Sequence, residues 1–248
     1  MRVDLTGRNA LVTGGTRGIG LSIVETLAKA GASVIATGTS DEPSDSLRAL
    51  SADGLEVAYR GLDLSVEESL EALCGEMRSL DRLDILVNNA GINQIVPVED
   101  VTGEDYDRLH RINLRGPLLL SGAAIPSMRR GGWGRIVNVA SIWATITKPG
   151  RAMYTSSKFG LVGLTKTLAV ENAPHGILVN AVSPGFTLTE LTRSTLSEDE
   201  IGALAQQVPA KRFADPVEMA NVVCFLCSPL NTYLTAQNVT IDGGFTSI

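Results

Sequence analysis

Short runs of apolar, often β-branched residues alternate along the chain with longer segments whose apolar positions recur every three or four residues. The short runs have the length of strands, and the longer segments have the period of amphipathic helices. Strands separated by helices need crossover connections, which are right-handed and place helices on both faces of a parallel sheet. The pattern therefore predicts a doubly wound α/β fold of the Rossmann type with seven parallel strands. The predicted strands span residues 9–13, 32–37, 55–59, 84–88, 135–140, 177–183 and 237–241.

No Pro/Ser-rich linker, low-complexity tract or block of like charge divides the sequence. With 248 residues, 44% of them hydrophobic, the chain can bury one large core. Chains of this length with an α/β pattern commonly fold as one unit. We therefore expect residues 1–248 to form a single domain.

Charge and composition exclude several classes of partner. The formal net charge of −6 produces no basic field, and only 4% of residues are aromatic, so nucleic acid and anionic membranes are poor partners. No apolar run approaches the roughly 18 residues that span a bilayer, and the first residues are too polar for a secretory signal, so we expect a cytoplasmic protein. Cys224 and Cys227 lie in an apolar helical segment that begins at Asp215-Pro216, with no second cysteine pair, so we expect no metal site.

A glycine-rich loop joins the first predicted strand to the first helix with the spacing Gly-x-x-x-Gly-x-Gly. Without side chains, the backbone can approach a pyrophosphate, whose charge suits the free N–H groups at the helix start. Doubly wound sheets bind ligands beyond the carboxyl ends of their strands, which is where this loop lies. The spacing indicates a dinucleotide site, although a plain structural turn is the alternative. The residues assigned to this site are Gly14, Thr16, Arg17, Gly18, Ile19 and Gly20.

Tyr154 and Lys158 lie four residues apart in a segment of helical periodicity, so both side chains project from one face. A tyrosine with an ordinary pKa of about 10 is a weak base at neutral pH. A neighbouring ammonium, aided by oxidised nicotinamide, stabilises the phenolate and lowers that pKa. Ser141, at the end of the fifth predicted strand, can hydrogen-bond a substrate oxygen and stabilise its developing charge. Each residue taken alone has an ordinary alternative as a packed tyrosine, a surface lysine or a strand-ending serine.

These motifs form an ordered set that resembles the short-chain dehydrogenase/reductase family, from about Leu5 to Gly244. The chain as a whole is most similar to the 3-oxoacyl carrier-protein reductase group of that family. The set consists of Thr13-Gly14-x-x-x-Gly18-x-Gly20, Asn88-Asn89-Ala90-Gly91, Asn113, Ser141, Tyr154-x-x-x-Lys158 and Pro184-Gly185.

The resemblance implies a role for each catalytic position. Tyr154 is expected to be the acid/base that exchanges a proton during hydride transfer. Lys158 is expected to hold the nicotinamide ribose and to lower the tyrosine pKa, while Ser141 orients the carbonyl. Asn113 is expected to organise a water-mediated proton path to the lysine.

The resemblance also implies contacts with the rest of the cofactor. Asp63 is expected to meet the adenine, although a helix N-cap is the alternative for that carboxylate. Asn89 and Ala90 are expected to line the adenosine side, and Thr187 to bond the carboxamide of the nicotinamide. The remaining cofactor positions are Leu64, Gly91, Pro184 and Gly185. The expected substrate contacts are Gln94, Ser141, Trp143, Tyr154 and Phe186. For Gln94, Trp143 and Phe186, the alternative role is packing of their loops.

NADP(H) is expected to be preferred, with NAD(H) also accepted, because no acid stands at the end of the second predicted strand to hold a ribose 2′-hydroxyl. Gly38 occupies that position. Arg17 can meet a 2′-phosphate from the glycine-rich loop, and Thr39 offers a hydroxyl. Asp41 and Glu42 weigh against this preference.

The predicted activity is the interconversion of a carbonyl and a secondary alcohol on a small free substrate. An acyl group on an acidic carrier protein is the alternative substrate, and it would need a basic docking surface. Arg129 and Arg130 fit one half of that surface, but Glu171 and His175 occupy the other half. A cofactor-sensing protein without catalysis is the alternative of another class. Extended apolar and small-residue faces near residues 102–120 and 153–172 predict a homotetramer.

Overall fold

The computed structural model describes residues 3–248, and its seven strands form one parallel sheet. The strands are β1 (Asn9–Val12), β2 (Ser33–Gly38), β3 (Val57–Gly61), β4 (Ile85–Asn88), β5 (Gly134–Val139), β6 (Ile177–Pro184) and β7 (Asn238–Ile241). Their order across the sheet is β3-β2-β1-β4-β5-β6-β7. Every predicted strand is present, with ends within two residues of the predicted ones.

Helices cover both faces of the sheet, which confirms the doubly wound Rossmann fold. The helices are α1 (Gly18–Lys29), α2 (Asp45–Ala52), α3 (Glu67–Ser79), α4 (Gly103–His110), α5 (Gly116–Gly131), α6 (Ala152–Asn172), α7 (Glu190–Thr195), α8 (Glu198–Gln207) and α9 (Pro216–Leu226). Helices α1, α2 and α9 pack on one face, whereas α3, α5 and α6 pack on the other. Strands β4 and β6 are buried along their whole length, so their apolar residues run on without alternation.

The strand order creates the crevice in which a ligand can bind. Strands β1 and β4 are neighbours, but the chain leaves β1 toward the face that carries α1 and leaves β4 toward the face that carries α5. The loops after these two strands therefore diverge at the carboxyl edge of the sheet, where doubly wound folds bind their ligands. The glycine-rich loop and the segment 88–92 lie on the two sides of this crevice.

Helix α9 begins as the sequence predicts. Asp215 is its N-cap, Pro216 is its first residue, and the Glu218 carboxylate accepts a hydrogen bond from the Asp215 N–H at 2.8 Å. Cys224 and Cys227 are free, buried thiols at the end of this helix, and burial raises the pKa of Cys224 to about 11.

Residues 3–248 contain no group of three or more His, Cys, Asp or Glu side chains arranged to hold a metal ion. Within the same range, none of the helices has both the length and the apolar character needed to cross a membrane.

Candidate active site

The glycine-rich loop turns so tightly that a side chain at Gly20 would not fit. An ideal Cβ built on Gly20, in the first turn of α1, would lie 2.0 Å from the carbonyl oxygen of Gly14. Gly14 has a φ of +63°, in the left-handed region that favours glycine. The glycine spacing therefore produces a close strand-to-helix turn that leaves the first N–H groups of α1 directed at the crevice.

Hydrogen bonds from the segment after β4 hold this loop from behind. The Thr13 hydroxyl accepts hydrogen bonds from the N–H groups of Asn89 and Ala90, both at 3.0 Å. The Asn89 side-chain amide donates to the carbonyl oxygens of Thr13 and Gly14 at 2.9 and 3.0 Å. The side chain of Asn89 thus shapes the loop, in addition to any contact with adenosine. The part played by the Thr13 hydroxyl was not predicted from the sequence.

Residues 14–20 of this loop form the cradle that is expected to hold a diphosphate. Gly18 has a φ of +54° and packs close to the segment after β6, because an ideal Cβ on it would lie 3.3 Å from the Thr189 methyl group. Ile19 is partly buried and packs against the core below. Arg17 is the exposed N-cap of α1, and its side chain forms no hydrogen bond or ion pair within residues 3–248. The cradle and the free guanidinium suit a cofactor that carries phosphate groups.

The end of β2 has no room for an acidic side chain. An ideal Cβ on Gly38 would lie 2.6 Å from the methyl group of Thr16 and 3.2 Å from the Tyr59 hydroxyl. Thr39, the next residue, is exposed. The carboxylate of Glu42, which weighed against an NADP(H) preference, pairs with Arg48 at 3.1 Å. The last residue of β2, which would face a ribose 2′-substituent, is therefore a glycine and not an acid.

Asp63 stabilises a turn, and it is not a helix N-cap. Its carboxylate accepts hydrogen bonds from the Ser65 N–H at 2.8 Å and from the Ser65 hydroxyl at 2.6 Å. These bonds lower the pKa of Asp63, so the group is a charged acceptor at the edge of the crevice. The N-cap of α3 is Val66, so the N-cap alternative is wrong. The Leu64 side chain is buried against Gly116 of α5, which leaves its backbone to meet a nucleotide.

Three of the four predicted catalytic side chains come together beyond the carboxyl end of β5. Tyr154 and Lys158 lie one turn apart near the start of α6, and the Lys158 Nζ is 5.7 Å from the centroid of the tyrosine ring. Ser141 follows β5, is buried, and places its hydroxyl within hydrogen-bonding reach of the Tyr154 phenol. The four-residue spacing of Tyr154 and Lys158 thus agrees with their common position in this cluster.

Burial dominates the protonation of the catalytic pair. It raises the pKa of the Tyr154 phenol, while the Ser141 hydrogen bond and the positive charge of Arg151 act in the opposite direction. It also lowers the pKa of Lys158 to about 8. The Lys158 Nζ donates to the Val139 carbonyl oxygen at 2.9 Å, which holds the lysine in place, and the lowering of the tyrosine pKa by its ammonium stays a prediction. The contribution of oxidised nicotinamide stays a prediction.

Asn113 joins the segment after β4 to α6. It is fully buried in a π-helical turn, Arg111–Arg115, and such turns are frequent at functional sites. Its side-chain oxygen accepts from the Ile92 N–H, and its amide donates to the Ile92 carbonyl and to the Ser157 hydroxyl, at 2.9, 2.9 and 3.1 Å. Ser157, in turn, donates to the Tyr154 carbonyl oxygen at 2.8 Å. The side chain of Asn113 therefore positions the catalytic turn, and the predicted water path remains untested.

Gly91 lies where these groups converge. An ideal Cβ on Gly91 would lie 3.2 Å from the Asn113 side-chain oxygen and 3.4 Å from the Lys158 Nζ. A larger residue would press on both side chains, so glycine leaves space for the lysine beside the crevice.

The segment after β6 closes the opposite side of the crevice. Pro184 ends β6, and the Gly185 N–H donates to the Ile241 carbonyl at 2.9 Å, which ties this segment to the end of β7. The Thr187 side chain is buried, and its hydroxyl donates to the Gly185 carbonyl at 3.2 Å. Thr187 thus lies beyond the carboxyl end of β6, and its contact with the carboxamide of the nicotinamide stays a prediction.

Two of the predicted substrate residues are engaged in packing. The Gln94 amide donates to the Asp105 carboxylate on α4 at 3.2 Å. Phe186 stacks on Phe213 with ring centroids 5.1 Å apart and meets the edge of Phe245 at 5.0 Å. Gln94 therefore braces its loop against α4, and Phe186 belongs to an aromatic wall.

Trp143, another predicted substrate residue, lies close to two cationic side chains that were not expected there. Its backbone N–H donates to the Ser141 hydroxyl at 3.3 Å, and its indole ring is buried. The Arg151 guanidinium lies 4.4 Å from the ring centroid and the Lys148 Nζ lies 5.4 Å from it. Neither cation was predicted from the sequence to belong to the site, because no local pattern brings them to the tryptophan.

Comparisons with known sequences agree with this arrangement. A family model described as "Enoyl-(Acyl carrier protein) reductase" matches residues 14–246. The chain is 41% identical over 247 residues to the 3-oxoacyl-[acyl-carrier-protein] reductase FabG of Aquifex aeolicus, covering 98% of this chain and 99% of the relative. It is 38% identical to the FabG of Escherichia coli, with 98% of each chain covered.

Solved structures share the fold over the whole chain. A protein assigned as an NAD(P)-dependent gluconate 5-dehydrogenase of Beutenbergia cavernae, with NADP bound at low occupancy, matches with a TM-score of 0.94 and 34% identity, covering 99% of both chains. A gluconate 5-dehydrogenase of Burkholderia cenocepacia in complex with NADP and tartrate matches with a TM-score of 0.91 and 31% identity, covering 100% of this chain and 98% of the other. The assembled site and these full-length matches show that the chain belongs to the short-chain dehydrogenase/reductase family of NAD(P)-dependent oxidoreductases.

Proposed function

We propose that this chain uses NADP(H) to interconvert a carbonyl and a secondary alcohol on a small free substrate, with Tyr154 as the acid/base. The observation that carries the proposal is the cluster of Tyr154, Lys158 and Ser141, in which the lysine and the serine are buried, beside the glycine-lined cradle expected to hold a diphosphate. A sensor that only binds cofactor has no need for a tyrosine, a lysine and a serine brought together from β5 and α6. The arrangement therefore favours catalysis over sensing.

The chain's own residues handle the proton and the substrate oxygen. When bound, the nicotinamide supplies or accepts the hydride at the reacting carbon. The Ser141 hydroxyl and the Tyr154 phenol face the same point, so both can hydrogen-bond the substrate oxygen as its charge develops. In reduction the phenol gives its proton to that oxygen, and in oxidation the phenolate takes it back. Lys158, held by the Val139 carbonyl, keeps positive charge close to the forming phenolate.

The preference for NADP(H) rests on three features. Gly38 excludes an acid at the end of β2, Arg17 is exposed without a partner, and Glu42 is paired with Arg48. NADP bound to the two structural relatives supports the same preference. We place the 2′-phosphate between Arg17 and Thr39, and the adenine beside Asp63.

Fluorescence titration of the protein with NADPH and with NADH checks this preference. NADPH should bind more tightly, and Arg17→Met should weaken NADPH binding by about tenfold because a charge-assisted contact is lost. NADH binding should respond much less to this variant. Arg78→Met, which removes an exposed arginine on α3, is the matched control and should leave the ratio of the two affinities unchanged. Equal or tighter binding of NADH by the unaltered protein would contradict the proposal.

The surface where a carrier protein would dock favours a free substrate. Arg129 donates through two nitrogens to the Asn172 side-chain oxygen, at 3.2 and 2.8 Å, and Arg130 donates to the Leu80 carbonyl at 3.3 Å. Glu171, which precedes Asn172 on α6, adds an exposed carboxylate where the second half of a docking surface would need a cation. Both guanidinium groups of the half surface therefore already donate hydrogen bonds within the chain. The carrier-protein reductases among the relatives support the alternative substrate.

A competition of substrates decides between these two. Acetoacetyl carrier protein and a panel of free keto compounds and polyols are compared at matched NADPH or NADP. We expect free substrates to give the higher kcat/KM. A preference of about a hundredfold for the carrier substrate corresponds to roughly 2.7 kcal/mol of transition-state stabilisation and would overturn the proposal of a free substrate.

We propose a homotetramer that forms through the exposed faces of α5 and α6. Leu118 on α5 is 46% exposed, and Phe159 and Val170 on α6 are 48% and 74% exposed. Gly122 on α5 and Gly163 on α6 have nothing within 4 Å of an ideal Cβ, so the same helices offer open small-residue surface. Apolar area exposed on two neighbouring helices suits a symmetric interface.

Light scattering at micromolar concentration should find about four chain masses. Val170→Glu should shift the protein to smaller species, because a carboxylate would be buried at the contact. Leu191→Glu replaces another exposed apolar residue, on α7, and should leave the mass unchanged. A monomeric native protein would contradict the assembly.

We further propose that residues 1–248 act as one domain in the cytoplasm. One sheet contains all the strands of residues 3–248, and the three buried cysteines are free thiols, which suits a reducing compartment.

A further inference from the structure

Arg151 carries a buried charge beside the catalytic tyrosine. The proton transfer described above does not use this charge. It precedes the first residue of α6 and is only 8% exposed. Its Nε is buried without a hydrogen-bond partner, and no hydrogen bond or ion pair of its guanidinium occurs within residues 3–248. Buried polar groups are nearly always paired, so an unpaired arginine indicates a partner supplied from outside the chain.

Trp143 accounts for only one side of this guanidinium. The Arg151 Cζ lies 4.4 Å from the indole centroid, so one face of the guanidinium forms a cation–π contact with the ring. The N–H donors of a guanidinium lie in its plane, so stacking leaves them free. The ring therefore holds Arg151 in place without using its donors.

The surroundings are positive although the chain as a whole is acidic. Lys148 is a second cation near the same ring, with its Nζ 5.4 Å from the centroid. Neither Lys148 nor Arg151 forms an ion pair in the described part of the chain. The chain's formal net charge is −6, so a negatively charged substrate would be drawn to local, unpaired cations such as these.

We propose that Arg151 binds a carboxylate of the substrate, so that the substrates are small keto acids and the corresponding hydroxy acids. This inference rests on the proposed reaction of a free substrate at Tyr154. The planar guanidinium can hold both oxygens of a carboxylate through its Nε and one terminal nitrogen. Residues three apart at a helix start lie on the same face, with Cβ atoms about 5–6 Å apart. The carboxylate therefore lies only a few bonds from the carbon that reacts at Tyr154.

The test compares keto acids of three to six carbons with their methyl esters, at saturating NADPH. The quantity measured is the ratio of kcat/KM for the acid to kcat/KM for the ester. Arg151→Met removes the charge and the fork, so this ratio should fall about tenfold or more. Arg151→Lys keeps the charge without the fork and should restore part of the ratio. Arg78→Met, which removes an exposed arginine on α3, should leave the ratio as in the native protein.

A binding measurement separates this inference from the proposed reaction. Malonate, a dicarboxylate without a reducible carbonyl, is titrated into the complex of the protein with NADP by calorimetry. Binding should be at least about tenfold weaker in Arg151→Met than in the native protein. If the native protein acted only on a carrier substrate, the proposal of a free substrate would be wrong. The difference in malonate affinity between the native protein and Arg151→Met would still test whether Arg151 binds a carboxylate.

Several results would overturn the carboxylate site. The first is a native protein that prefers esters to acids, and the second is an acid-to-ester ratio that Arg151→Met leaves unchanged. A third is an equal loss of acid and ester activity together with a lower Tm, because Arg151 would then serve only to support Trp143. The last is native malonate binding that Arg151→Met does not weaken.

Discussion

Replacement of Tyr154 by phenylalanine is expected to lower kcat by roughly two or more orders of magnitude, because it removes the proton that the substrate oxygen must receive. The phenyl ring keeps the packing of the tyrosine near the start of α6. Ser141 and Lys158 hold their places through other bonds, the serine to the Trp143 N–H and the lysine to the Val139 carbonyl. The NADPH affinity should therefore barely change, and steady-state kinetics with fluorescence titration measure both quantities.

Tyr233→Phe is the matched control, because that tyrosine is 92% exposed and lies outside the site. Its activity should equal that of the native protein. Lys158→Ala should reduce both activity and cofactor binding, because the lysine is assigned a ribose contact as well as a charge beside the phenol. If Tyr154→Phe retained most of the activity, another group would have to supply the proton.

The fold was predictable because its causes are local. Strands such as β4 and β6 are buried on both faces and read as continuous apolar runs, and helices such as α9 begin with an N-cap, a proline and an acid. These signals are spread over many residues, so a misread position shifts the predicted end of a strand or helix but does not remove the element. The alternation of the two patterns then fixes a parallel, doubly wound sheet.

The catalytic cluster was partly predictable for a different reason. The spacing of Tyr154 and Lys158 on one helix determines their common face, so two of its members follow from local geometry. Ser141 follows β5, so its place at a strand end puts it at the same edge of the sheet, and the resemblance to a family assigns it to the cluster. The raised pKa of the tyrosine was not predictable, since its burial arises from tertiary packing.

Residues that act through long-range contacts left no signal in the sequence. Thr13 and Ser157 are single hydroxyl residues in apolar or helical surroundings, and their partners are 76 and 44 residues away in the chain. Arg151 is one arginine near a helix start until the fold brings its guanidinium over Trp143. Periodicity and spacing describe neighbours within an element, so they cannot identify partners that meet only when the loops converge.

Substitution of Gly20 by alanine should abolish most cofactor binding and destabilise the fold. The new methyl group would lie 2.0 Å from the Gly14 carbonyl oxygen, and both positions are set by main chain, so the loop or the start of α1 must move. Overpacking of this kind costs about 1–3 kcal/mol of stability. Displacement of the loop also removes N–H donors from the diphosphate, and losing two charge-assisted bonds weakens binding by about a hundredfold or more. Denaturant unfolding and NADPH titration measure the two effects.

Gly75→Ala separates this clash from the general effect of placing alanine in a helix. Gly75 lies within α3 with nothing within 4 Å of an ideal Cβ, so alanine there should keep NADPH binding intact. It should also raise the free energy of unfolding by up to about 1 kcal/mol, since alanine is the better helix former. Native-like NADPH affinity in Gly20→Ala would mean that the phosphate loop tolerates a side chain, and the cradle assigned to residues 14–20 would then not be the diphosphate site.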